Sequence, residues 1–148
     1  MTLSADEVRA VQEVTLAFAA AMPPGRDVPY QELVAIAETG TVRAEHLDLL
    51  ERVCVLALET GKARQLGKAE TERLLTAVYR RTPGGQAVLT EASDVNTVLG
   101  QLLGRPLESA SLTWKMPGRY QLDLGVSGFG VTLMIERDGL HVQSLQAG

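Results

Sequence analysis

The apolar residues of this chain change rhythm near residue 108, and that change limits the possible folds more than any other feature. From Val8 to Leu102 they recur every three or four positions, the spacing of a buried helical stripe. Beyond Glu108 they alternate with polar residues, the spacing of a half-buried strand. Helix and strand are therefore segregated along the chain. This predicts an α+β fold in which an N-terminal bundle of about four helices precedes a helix packed on a four-stranded antiparallel meander.

Punctuation residues divide the helical part. Ser4-Ala5-Asp6-Glu7 has the form of a capping box, and the stripe Val8, Val11, Val14, Phe18, Met22 runs to the stop at Pro23-Pro24-Gly25. A second, short helix is expected from about Pro29 to Glu38, closed by Thr39-Gly40. A third is expected from about Arg43 to Thr60. Its second half, Val53 to Leu58, is apolar nearly all round, which predicts a helix packed on several sides at the centre of the bundle. After a polar stretch at Lys62–Gly67, a fourth helix is expected over Lys68–Arg81. Thr82-Pro83 reads as a fresh cap and first-turn proline for a fifth. The fifth carries Val88, Ala92, Val95, Leu99 and Leu102 on one stripe and ends at Gly104 and Pro106. Glu38-Thr39-Gly40 and Glu59-Thr60-Gly61 echo each other, but two unequally spaced copies fall short of the three that a repeat architecture requires.

Four alternating segments follow. Leu112, Trp114 and Met116 share one face of the first, and Tyr120, Leu122, Leu124 and Val126 one face of the second. Val131, Leu133 and Ile135 do so in the third, and Leu140, Val142 and Ser144 in the fourth. Pro117-Gly118, Ser127-Gly128 and Asp138-Gly139 are the turns, the last favouring type I′. The apolar face requires a cover, and the fifth helix is the nearest element with a matching stripe. Thr82-Pro83-Gly84-Gly85 divides the chain into a helical subdomain, 1–82, and a helix-plus-meander subdomain, 83–148. The second would have a thin core alone, so one cooperative unit is expected.

Composition narrows the class of protein. Apolar residues make up 45% of the 148 and the net charge is −4, which excludes a disordered chain. Cys54 is the single cysteine, so neither an internal disulfide nor a cysteine-based metal cluster can form within one chain. Val14–Met22 resembles the end of a signal peptide, but the residues before it are mainly acidic where a secretory signal is basic. A cytoplasmic protein that does not enter the membrane is expected. Arginine outnumbers lysine eleven to three, a bias common in GC-rich bacterial genomes.

Most candidate sites have an ordinary structural account. Gly61–Ala69 approaches a phosphate-binding loop, but five residues separate its glycines and Ala69 has no hydroxyl for magnesium. Gly125–Gly130 is glycine-rich but flanked by strands, so it reads as a bulged hairpin and not as a dinucleotide site. His46 and His141 are the only histidines and have no evident co-ligands. Cys54 lies in the most apolar helix, where a small hydrophobe is the better account than a nucleophile. Glu70 with Arg73, and Asp48 with Arg52, have the spacing of helix-surface ion pairs. No catalytic residue, metal ligand or cofactor is assigned. The one stretch with functional character is the basic segment of Lys62, Arg64, Lys68, Arg73, Arg80 and Arg81. Within it Lys68, Arg73, Arg80 and Arg81 are the candidates for an interaction or anion-binding surface, although Glu70 and Glu72 interrupt them.

The leading expectation is a non-enzymatic interaction, regulatory or assembly protein, self-associating as a homo-oligomer or binding a protein partner. The strand at 109–116 is the candidate for edge pairing, with Lys115 as a brake. One alternative is a small-molecule binder or enzyme with a pocket between helices and sheet, lined by Trp114, Tyr120 and Phe129. Another is a nucleic-acid-binding accessory protein using residues 62–81.

Overall fold

The computed structural model describes residues 1–137 and 139–147, and it is α+β. The elements are α1 (Ala5–Ala21), α2 (Val28–Glu38), a 3₁₀ turn (Ala44–His46), α3 (Leu47–Glu59), α4 (Lys62–Tyr79) and α5 (Pro83–Gly100). Strands β1 (Leu107–Met116), β2 (Arg119–Val126), β3 (Phe129–Ile135) and β4 (Leu140–Ala147) follow. The chain divides into two compact units, Met1–Gln86 and Ala87–Gly148.

In the first unit the helices start and stop on local hydrogen bonds. The Ser4 hydroxyl accepts from the Glu7 N–H, and the Glu7 carboxylate accepts from the Ser4 N–H at 2.8 Å, completing the capping box. In both echoed Thr-Gly pairs the threonine hydroxyl donates back into the last turn of the helix. Thr39 Oγ1 donates to the Ile36 carbonyl at 2.7 Å, and Thr60 Oγ1 to the Leu56 carbonyl at 2.6 Å. Gly40 and Gly61 then turn the chain at φ 71° and 69°. The N-terminal residues are tied to the loop after α2: Leu3 N–H donates to the Gly40 carbonyl and Val42 N–H to the Met1 carbonyl, at 2.9 and 2.8 Å. Val11, Val14, Leu33, Leu50, Val53 and Leu75 form the centre of this core.

Three sequence expectations need correction here. The polar stretch Lys62–Gly67 is not a loop. It is the start of α4, which breaks at Gly67 and Lys68 and then resumes. Gly67 is required at that break, since a Cβ there would lie 1.6 Å from Thr71 Oγ1. Lys68 sits at φ 57°, a conformation side-chain-bearing residues rarely adopt. Secondly, α3 packs on several sides as expected, against α1, α2 and α4, but its apolar second half is not buried all round: Leu50, Val53, Cys54 and Ala57 are buried, while Leu56 is exposed and Val55 half-buried. Thirdly, Asp48 and Arg52 form no ion pair, whereas Arg73 and Glu70 do, at 2.7 Å. Thr82 is the expected cap of α5, its hydroxyl accepting from the Gly85 N–H at 3.2 Å.

In the second unit the four strands form one antiparallel sheet in the order β1-β2-β3-β4. Opposed residues share a face, so the register gives the rungs directly. Leu112, Leu122, Leu133 and Val142 form one rung of the apolar face. Trp114, Tyr120, Ile135 and Leu140 form the next. Ser111, Asp123, Thr132 and Ser144 form a rung of the opposite, polar face. Ser144 was expected on the apolar face. A register shift between Thr132 and Leu133 absorbs an extra residue of β4 and puts Leu145 opposite Val131 in its place. Asp138, the first residue of the expected type I′ turn, lies outside the described residues.

The cover of the apolar face is α5. Val95 and Val98 are buried against Val131 and Leu133, with Leu99, Leu102, Leu122, Phe129, Leu140 and Val142 around them. The stripe begins later than expected, because Val88 and Ala92 are exposed. The helix also ends earlier, at Gly100.

Candidate interaction surface

An α-helix with its side chains is about 10 Å wide, and strands in a sheet lie about 4.8 Å apart. One helix therefore spans about two inter-strand spacings, which is three strands, and a four-stranded sheet has one strand left over. Here that strand is β1. The burial falls off along a single rung: Leu133 of β3 is 2% exposed, and Leu112 of β1 is 62% exposed. Trp114 is also 62% exposed, although the apolar face it belongs to was expected to be covered. All ten residues of β1 are exposed, Met116 included. As the first strand of the sheet, β1 also presents an outer edge that pairs with no strand among the described residues.

The edge is regular only in its middle. The β1–β2 register shifts between Leu107 and Ser109 and again between Trp114 and Met116. Between these irregularities the strand is a straight ladder, with Ala110, Leu112 and Trp114 on the apolar face and Ser109, Ser111 and Thr113 on the polar face. No charged residue lies within Ser109–Trp114, so neither edge nor face is guarded there by like charge.

The polar face is satisfied from within. Asp123 Oδ1 accepts from Thr132 Oγ1 at 2.8 Å, and both carboxylate oxygens accept from the Gln121 amide at 2.9 Å. The Thr132 bond, followed by that of Gln121, holds the Asp123 carboxyl below its usual range. Arg119 pairs with Glu136, and His141 Nε2 lies 3.8 Å from the same carboxylate.

Cys54 is fully buried, and burial, reinforced by the Glu51 carboxylate, pushes its thiol up to about 12. Such a thiol is protonated at neutral pH and is no nucleophile. His46 lies 3.2 Å from Glu45, and no group of three or more His, Cys, Asp or Glu among the described residues is arranged to hold a metal. Of the three aromatic residues expected to line a pocket, Phe129 packs under α5, with the Arg105 guanidinium 6.0 Å from its ring centre. Trp114 and Tyr120 are cross-strand neighbours on the exposed β1 side.

No protein-family model, no curated protein and no solved structure matches this chain.

Three of the six basic residues of segment 62–81 are paired with carboxylates. Arg64 pairs with Glu72 at 2.8 Å and Arg73 with Glu70 at 2.7 Å. Arg81 spans Glu7 at 2.6 Å and the Thr2 carbonyl at 2.8 Å, stitching the end of α4 to the start of α1. Arg73 and Arg80 border one shallow hollow, whereas Lys68 stands at the helix break and Arg81 points to the N-terminal segment. The four candidates thus do not converge on a single anion site. The open strand was legible as an edge but not as an uncovered face. The usable signal was the mismatch between four alternating segments and one helix available to cover them.

Among the described residues no helix is long and apolar enough to cross a membrane.

Proposed function

We propose that this chain is a non-enzymatic interaction protein whose working surface is the β1 side of its sheet. The observation that carries this reading is the exposure of Leu112 and Trp114, 62% each, on the same face and rung system that buries Leu133 to 2%. Covering an apolar side chain of this size stabilises a complex by roughly 1–2 kcal/mol. Adding a strand to the outer edge of β1 supplies main-chain hydrogen bonds on top of that. Exposed aromatic anchors beside an unpaired edge are the features strand-addition interfaces use.

A nucleic-acid reading draws on Lys68, Arg73, Arg80 and Arg81. It is weaker, because carboxylates already balance Arg73 and Arg81 and reduce the field a phosphate would meet. In-cell photo-crosslinking separates the two. A crosslinking residue at Ser111 gives a discrete protein adduct, and one at Arg80 gives no nucleic-acid adduct. If Ser111 yields no more adduct than a probe at exposed Gln31 in the first unit, the interaction reading is refuted.

A further inference from the structure

On the interaction reading above, we infer that the occupant of β1 is a second copy of this chain, paired edge to edge and antiparallel with Leu112 on the two-fold axis. The two β1 strands then join two four-stranded sheets into one of eight.

Symmetry and the face pattern together select the register. A two-fold axis perpendicular to the sheet keeps the apolar faces of both copies on one side. Residues that oppose each other share a face, so the axis passes through a residue and not between two. The regular ladder runs from Ser109 to Trp114, bounded by a register shift at each end. Axes on Ser111 and on Leu112 each keep five of its six residues paired within it, and the side chains then favour Leu112. On the apolar face Leu112 meets Leu112 of the other copy, and Trp114 meets Ala110. A large ring thus lies against the smallest apolar side chain in both halves of the interface. On the polar face Ser111 meets Thr113, a hydroxyl pair of the kind that stabilises antiparallel ladders. Placing the axis on Ser111 sets Trp114 against the charged Glu108. Placing it on Thr113 drives the pairing into the irregular end at Lys115.

Charge agrees with the Leu112 register. Lys115 opposes the neutral Ser109, and the two Lys115 side chains lie about 20 Å apart, six residues at 3.3 Å each. Glu108 falls one position from Lys115 of the other copy, so opposite charges end the ladder. No like charges face each other.

The interface is modest. Pairing this stretch covers roughly 500 Å² on each copy, which belongs to the weak and reversible class of association. Assembly is therefore concentration-dependent.

The test uses the full chain. Light scattering on a sizing column gives a monomer at low micromolar concentration and a dimer at several hundred micromolar. The emission of Trp114, the single tryptophan, shifts to the blue over the same range. Leu112→Cys forms an intermolecular disulfide on mild oxidation, because opposed Cα atoms at the axis lie about 5 Å apart, within bonding range. Ser111→Cys alone and Thr113→Cys alone do not, since each is about 8 Å from its own copy, but a mixture of the two crosslinks. Native Cys54 is fully buried and stays silent. Leu112→Lys sets two ammonium groups face to face and loses the dimer with an unchanged circular dichroism spectrum. A strict monomer at every concentration overturns the second copy as occupant. A dimer in which Leu112→Cys fails to crosslink overturns the register. Either result leaves the Ser111 adduct in cells to decide the broader interaction reading separately.

Discussion

Leu112 and Leu133 lie on one rung and one face of the sheet, two strands apart, and they offer a controlled comparison. Both change to alanine by the same chemistry, but their surroundings differ. Leu133 is 2% exposed and sits under Val95 and Val98. Removing its side chain takes away transfer free energy and leaves a cavity, a loss of about 2–5 kcal/mol. Leu112 is 62% exposed. Full burial of a leucine is worth about 1.5–3 kcal/mol, and only some two-fifths of that is realised in the lone chain, so Leu112→Ala costs about 1 kcal/mol or less. Urea unfolding of both variants, followed by far-UV circular dichroism at low micromolar concentration, gives these values. On the pairing proposed above, the native state should gain stability from association at high concentration, a gain that Leu112→Ala should forfeit and Leu133→Ala should keep. Equal destabilisation by the two variants in dilute solution would mean that Leu112 is covered within one chain. The open-face reasoning would then fail.

Other substitutions probe the first unit. Burial raises the Glu7 carboxyl, but the Ser4 N–H and Arg81 outweigh it and leave the group below its usual range. A carboxylate depressed on folding stabilises above its unfolded pKa of about 4.3, and that contribution disappears as the pH falls through the folded value. Wild type should therefore lose more melting temperature between pH 7 and pH 3 than Glu7→Gln. The difference should be about 1 kcal/mol or less, because Arg81 is partly solvated. Cys54 should resist a thiol reagent at pH 8 in the native state and react fully in denaturant; rapid native labelling would contradict its burial. Lys68→Gly relieves the positive φ at the α4 break and should raise stability by about 1 kcal/mol. Gly67→Ala should lower stability, because the added methyl meets Thr71. Thermal melts of the pair check both signs.

Much of this architecture was readable in the chain because the forces that set it are local. A cap such as Ser4 with Glu7, or Thr82 with Gly85, acts across three residues. A stop such as Thr39-Gly40 acts across the same distance. The alternation in β1 to β3 identifies the shared face before any pairing is known. In β4 the same reading failed at Ser144, because a register shift is set by the neighbouring strand and leaves no mark of its own in composition. The break at Gly67-Lys68 was missed because a polar, glycine-punctuated stretch reads alike as a loop or as a helix start.

Coverage was decided only in three dimensions. Leu112 and Leu133 have the same side chain and both sit on the apolar face of an alternating strand, and although β3 is the more apolar of the two, its neighbours do not say which strand a helix will cover. The distinction comes from where a helix about 10 Å wide rests on a sheet of four strands, and from the apolar positions of α5 that meet it, Val95 and Val98 and not Val88 and Ala92. The amino-acid order determined that a helical segment and a two-faced sheet would form. Tertiary packing decided which of the sheet's apolar residues became core and which were left on the outside, because burial depends on the width and placement of the covering element.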